Sequence, residues 1–141
     1  MANKLIPNLG GTNFANSTTY TPTLTNLTLG NGTVTARYWQ VGKLVTVFFD
    51  FLLGSTSAVS TSPAFSLPVT GITNSILHNA YFQDFGTNTY MGGINLTTTT
   101  ASIYIPNVAG TYPSFASVTS TVPITWTTND FIRAFFTYEA A

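Results

Sequence analysis

Across residues 44–53 the chain alternates, with Val45, Val47, Phe49, Phe51 and Leu53 on one side and Thr46 and Asp50 on the other. A period of two belongs to a strand with one dry face, so the odd positions are the predicted core. Residues 33–39 carry the same period: Val34, Ala36 and Tyr38 fall to the core, while Thr33, Thr35, Arg37 and Trp39 point away. Residues 30–54 therefore read as one long hairpin. A two-residue Val41-Gly42 connection pairs Gln40 with Lys43, Tyr38 with Val45, Ala36 with Val47 and Val34 with Phe49, core against core. An odd connection would set Tyr38 against Thr46.

The opposite face of this hairpin is not simply polar. Trp39, Leu44, Phe48 and Leu52 share it with Arg37 and Asp50. Such a face is expected to be covered, either by a second layer of the same domain or by a neighbouring subunit.

Shorter alternating runs fill the rest of the chain. Residues 20–29 read as an edge strand, because Pro22 has no N–H to give a ladder. Residues 55–62 are a small-residue loop or edge, followed by Phe65, Leu67 and Val69 at strand spacing; residues 71–77 are a loop or one helical turn. Residues 79–85 and 89–96 flank Gly86-Thr87-Asn88 as a second hairpin, in which Gly92-Gly93 marks a bulge or a close backbone approach. Residues 101–105, 116–122 and 124–127 are further strands. In 131–138, Ile132, Ala134, Phe136 and Tyr138 occupy one face and Phe131, Arg133, Phe135 and Thr137 the other.

No segment holds ten residues of helical period. Short strands at regular spacing, separated by Gly, Pro and Asn turns, predict a single antiparallel β-sandwich, jelly-roll-like, over residues 20–141. Residues 1–19 form an extended N-terminal arm with only Leu5, Ile6, Leu9 and Phe14 to bury, too little to order itself without a neighbouring subunit or surface.

Composition sharpens this picture by exclusion. Charged residues make up 6% of the chain, against roughly 25% in ordinary soluble domains, while hydrophobic residues reach 44% and aromatics 14%. The surface must be neutral, solvated by Thr, Ser and Asn. The net charge is zero and Lys4, Arg37, Lys43 and Arg133 are scattered, so no nucleic-acid partner is expected. No apolar run approaches the roughly 18 residues of a membrane span, and the start lacks the apolar segment of a secretory leader, so no membrane partner is expected. The absence of Cys leaves the redox compartment open, and the four N-x-S/T sites at Asn16, Asn26, Asn31 and Asn95 follow from a chain rich in Thr and Asn.

Material for chemistry is scarce. One His, three Asp and one Glu are all that a catalytic constellation could draw on. His78 stands six residues before Asp84, yet no nucleophile-elbow sequence accompanies it, and a hydrogen-bonded loop histidine is the simpler reading. With one His and no Cys, no zinc site is expected. Asp84 or Asp130 could contribute to a calcium loop, though no acidic ligand run surrounds either. A glycosidase pair would need two of Asp50, Asp84, Asp130 and Glu139 to converge, and Asp50 in mid-strand is better read as a partner for Arg37 or Arg133. The chain is expected not to be an enzyme, with no catalytic, cofactor or metal residues. Tyr90, Tyr104, Tyr112 and Trp126 could stack on sugars; the exposed loop at 106–113 makes Tyr112 the candidate for a ligand, whereas Trp126 is expected in the core or an interface.

Several blocks, taken in order, carry a resemblance. They are Tyr20-Thr21-Pro22-Thr23, Gly30-Asn31-Gly32-Thr33, Ala36-Arg37-Tyr38, Val41-Gly42-Lys43, Gly54-Ser55-Thr56-Ser57 and Phe65-Ser66-Leu67-Pro68-Val69, with Trp126-Thr127 and the close Thr137-Tyr138-Glu139-Ala140-Ala141. Together they resemble a small β domain of tailed-bacteriophage virion proteins, met in head-decoration (cement) proteins and in tail-fibre tips. The resemblance implies trimers and no catalytic site.

A fibre carries a shaft or tail anchor upstream, and residues 1–19 alone precede the domain here, which favours the decoration protein. The expectation is a homotrimer on the outer capsid surface of the virion, made in the host cytoplasm. Lys4, Leu5, Ile6, Leu9 and Phe14 would contact the major capsid protein lattice, and Trp39, Phe48 and Leu52 would form the trimer interface. The alternative is a tail-fibre or tail-tip module that recognises a host surface glycan near Tyr112.

Overall fold

The structure, a computed structural model, describes residues 16–72 and 77–141. Lys4, Leu5, Ile6, Leu9 and Phe14 of the arm, and most of the 71–77 segment, lie outside the described residues. The described chain is all β: β1 (Thr18–Thr19), β2 (Leu24–Thr28), β3 (Thr33–Val41), β4 (Leu44–Leu52), β5 (Ala58–Ser66), β6 (Leu77–Asp84), β7 (Asn88–Leu96), β8 (Thr100–Asn107), β9 (Ser114–Ser117) and β10 (Phe131–Glu139). They form one antiparallel sheet in the order β1-β3-β4-β10-β6-β7-β8-β5-β2, with β9 added on β8. The sheet curls until β4 and β5 face each other, and the rings of Phe49 and Phe65 stack across the interior at 3.8 Å. The result is the expected all-β sandwich, with β5 lying beside β8 as the returning strand of a Greek key.

The core is the set of positions the alternation selects. Val45, Val47, Phe49 and Phe51 of β4 are fully buried, as are Ile132 and Ala134 of β10; Ala36, Phe136 and Tyr138 are nearly so. Burying each such large side chain contributes roughly 1.5–3 kcal/mol.

The β3–β4 hairpin keeps the expected parity but not the expected partners. Val41 pairs with Leu44, Tyr38 with Val47, Ala36 with Phe49 and Val34 with Phe51, so the connection is Gly42-Lys43. Gly42 has φ +58° at the first central position. Both turn types that match strand twist need a positive φ there, and a Val41-Gly42 turn would have forced it on a β-branched residue. The shift is by two residues, so every core side chain still meets a core side chain.

Three other expectations are corrected. The edge strand expected over residues 20–29 is present but shortened to β2, which pairs with β5 at one edge of the sheet, while β1, ahead of it, pairs with β3 at the other. Between them Pro22 is buried and the chain crosses from layer to layer. Sheet pairing thus begins at Thr18, inside the stretch read as arm. β5 ends at Ser66, and Leu67 and Val69 lie in the loop beyond it, where the Val69 carbonyl accepts the Tyr138 hydroxyl at 2.7 Å. Residues 124–127 form no strand. Trp126 Nε1 donates instead to the Thr119 backbone carbonyl at 2.8 Å, and Thr127 N to the Asp130 carboxylate at 2.6 Å.

Gly92 fills the expected role of close approach. A Cβ there would stand 2.3 Å from the Phe82 ring and 2.7 Å from the Tyr104 carbonyl oxygen, while the β6–β7 register runs without a bulge.

Candidate functional site

The titratable groups do not converge. His78 and Asp84 stand near opposite ends of β6, roughly 20 Å apart at about 3.3 Å per residue. The His78 ring packs 5.6 Å from Phe136, and burial lowers its pKa from the usual 6.5, which keeps it neutral. Asp130 is fully buried and its carboxylate is already occupied, by Phe85 N at 2.9 Å, Thr127 N and the Thr127 hydroxyl. It fastens the β6–β7 turn to the start of β10 and has no free oxygen to offer a cation. Asp50 pairs with Arg133 at 2.9 Å, one of the two partners expected for it. Among the described residues no three His, Cys, Asp or Glu side chains gather as a metal site.

Two surfaces remain. The first is an apolar groove of about 730 Å³ at the β7–β9 end of the sandwich, walled by Tyr90, Ile105, Pro106, Val108 and Pro123. Tyr112, expected to face a ligand, is 81% exposed in the neighbouring loop but does not line the groove. Trp126 packs edge-on against Phe82, in the core role expected of it.

The second surface is the outer face of β3, β4, β10, β6 and β7. Antiparallel pairing aligns its side chains in rows. One row runs Thr35, Asp50, Arg133, Tyr81, Met91 across five strands. The next holds Arg37, Phe48 and Phe135, and the one beyond it Trp39, Thr46 and Thr137, the two threonine hydroxyls bonded at 3.0 Å. Trp39 and Phe135 meet edge-to-face at 6.5 Å. The Arg37 guanidinium lies 4.5 Å over Phe48, and that of Arg133 4.4 Å over Phe131. These contacts are cation–π attractions, each worth roughly 0.5–1 kcal/mol at an exposed site.

Of the residues expected at a subunit interface, Trp39 and Phe48 lie in this patch, while Leu52 sits at its margin beside Phe131. Phe135 lies on the outer face that the alternation predicts for its strand, and Tyr81 and Met91 join this surface without any local pattern to mark them. Their common signal is a register: β10 lies against β4 and β6, which brings three separately read strands into one surface.

The blocks of the resemblance also meet in space. Asn31 Oδ1 accepts Thr56 N at 2.9 Å, Asn31 Nδ2 donates to Ser55 Oγ at 3.0 Å, and Ser57 Oγ donates to the Leu29 carbonyl, so the Gly30–Thr33 and Gly54–Ser57 blocks lock together. A Cβ at Gly30, which has φ +55°, would strike the Thr56 carbonyl. Thr23 N donates to Ser66 Oγ at 2.9 Å, and Ser66 N returns a bond to the Thr23 carbonyl at 3.0 Å, tying the first block to the sixth. Compared with protein-family models, curated proteins and solved structures, the chain matches none.

Proposed function

We propose that the protein is a structural component of a bacteriophage virion, a capsid decoration or cement protein that binds the assembled shell as a homotrimer. One observation carries this reading: the segment that follows the arm is fastened at both edges of the sheet. Thr18 and Thr19 pair with Tyr38 and Arg37, Tyr20 packs edge-on against Tyr38 at 5.9 Å, Pro22 is buried, and residues 24–28 pair with β5. Pull transmitted from the preceding residues must undo the β1 pairing and then the Tyr20 and Pro22 contacts before it reaches β2. A protein that binds only the assembled lattice stabilises it by mass action, and an arm so rooted suits that work.

The test is to mix the purified protein with capsids lacking it and count bound copies, with a chain missing residues 1–15 as control. Deletion at this point leaves β1 in place. Hundreds of copies, lost with the arm, are the expected result. The rival reading, a receptor-binding tail module, is favoured by the apolar groove and the exposed Tyr112 nearby. Adhesion to host cells without capsid binding would establish it instead.

A further inference from the structure

We propose that the seam between β6 and β10 is an acid-operated joint: neutral His78 holds it shut, and a proton on His78 opens it. The proposal rests on this seam alone and is independent of any capsid.

The sheet is not evenly sewn. β10 pairs with β4 along its whole length, Phe131 to Glu139, but with β6 only from Phe131 to Ala134. Past Ala134 and Ala80 the two strands run on without paired backbone among the described residues, although the same register carried further sets Phe136 opposite His78. What joins them there is a contact between side chains. The His78 ring lies 5.6 Å from the Phe136 ring, tilted by 39°. Phe136 in turn has Phe65 at 6.1 Å and Tyr138 at 6.3 Å. Leu77, His78 and Asn79 are held by β7 alone, so swinging them away from β10 breaks no β6–β10 ladder bond.

His78 belongs to the inward face of β6. It shares the parity of Ala80 and Phe82, both fully buried, and its partner on β7 is Ile94, also fully buried. Its Nε2 is sealed from water and has no hydrogen-bond partner. A neutral imidazole tolerates this by leaving that nitrogen unprotonated. An imidazolium does not, because both nitrogens then carry N–H and the buried one has no acceptor. No facing acid compensates. β7 presents Ile94 and Leu96, and β10 presents Phe136 and Tyr138, whose hydroxyl donates to the Val69 carbonyl; Arg133 and Glu139 lie on the outer face of β10. Across the interior β5 contains no ionisable residue, nor do residues 67–77 leading into β6, and Asp84 stands at the far end of β6.

The chain has one histidine, so its imidazole resonance is unambiguous in proton NMR of the full chain. Burial lowers His78 from the usual 6.5, so the folded protein takes up this proton later than the unfolded chain does. Stability from this source is whole above pH 6.5 and falls as pH drops below it. In urea titrations from about pH 7.5 to about pH 5, the unfolding constant of the parent is expected to rise by up to about tenfold per pH unit. That of His78→Phe, which fills the same wall without a titrating group, should stay level. Hydrogen exchange, corrected for its intrinsic pH dependence, should show residues 77–79 losing protection in acid before β3 and β4 do. Should His78→Phe fail to fold, His78→Leu is read in the same way. An imidazole that titrates at or above its usual pKa overturns the proposal. So does a folded variant that keeps the parent's acid loss, or protection at 77–79 that falls no sooner than that of β3 and β4.

Discussion

Both faces of β4 and β10 carry phenylalanines, and those rings have opposite fates. Inward, Phe49, Phe51 and Phe136 are buried and Phe49 stacks on Phe65. Outward, Phe48, Phe131 and Phe135 lie partly or largely in water, among Arg37, Asp50, Arg133, Thr46 and Thr137, which are bonded or stacked in their own network. Aromatic content therefore does not distinguish a core face from a surface. The polar company does: inside, these strands hold only the Tyr138 hydroxyl, bonded to the Val69 carbonyl, whereas the outer face keeps arginines, Asp50 and hydroxyls, with Arg37 Nε and Asp50 Oδ1 left without a partner.

The comparison breaks most visibly at Phe49. Replacing Phe49 with Ala should cost about 3–5 kcal/mol in a denaturant titration, since the cavity would open opposite Phe65. Phe48→Ala, one residue along on the other face, should cost under about 1 kcal/mol in the monomer. Asp130→Ala comes next. It strands the N–H groups of Phe85 and Thr127, at about 1–3 kcal/mol for each that stays buried, and should loosen hydrogen-exchange protection at the β6–β7 turn first. Gly92→Ala forces a methyl into the Phe82 ring and the Tyr104 carbonyl, and a loss of about 1–3 kcal/mol in thermal or chemical unfolding is expected.

A smaller effect should appear in alkali. Burial, opposed by the hydrogen bond accepted from the Val69 N–H and reinforced by the nearby Tyr38, pushes the Tyr138 hydroxyl up from 10.0 to about 12, and burial also raises Tyr20. The folded state thus holds a proton that the unfolded state gives up above about pH 10. Stability from this source is intact below that pH and falls as pH rises toward about 12, visible as a decline in the denaturation midpoint alongside tyrosinate absorbance. Smallest of all, Phe135→Ser should leave monomer stability within about 0.5 kcal/mol of the parent, because this ring packs outside the core.

Much of this architecture is legible in the sequence, up to a definite limit. Period-two alternation identifies the inward faces of β4 and β10 residue by residue, because burial acts on every second position. The same rule leaves the β3–β4 register ambiguous by two, since an even slip preserves faces; only the demand for a positive φ at Gly42 separates the choices. The 124–127 segment looked like a strand because Ile124 and Trp126 alternate, yet its backbone is held by Asp130 and its indole by Thr119, partners that no local pattern reveals. The outer patch was half visible for the same reason. Trp39 and Phe48 lie on one hairpin, but Phe135 joins them through a pairing between residues more than 80 apart.

That pairing also orders events in time. β10 lies between β4 and β6 and is bonded to both, yet it is the last of the described strands to leave the ribosome. Until residue 139 emerges, the nascent chain holds two halves of a sheet with an unfilled slot between them, each bordered by a long apolar strand edge of the kind that pairs with other chains. Closure then waits on contacts between residues 83 apart, such as Arg133 with Asp50, a separation that places folding among the slow β topologies of milliseconds to seconds. A cell making this protein in quantity must therefore shield open-slotted chains from one another for the interval between synthesis of β9 and insertion of β10.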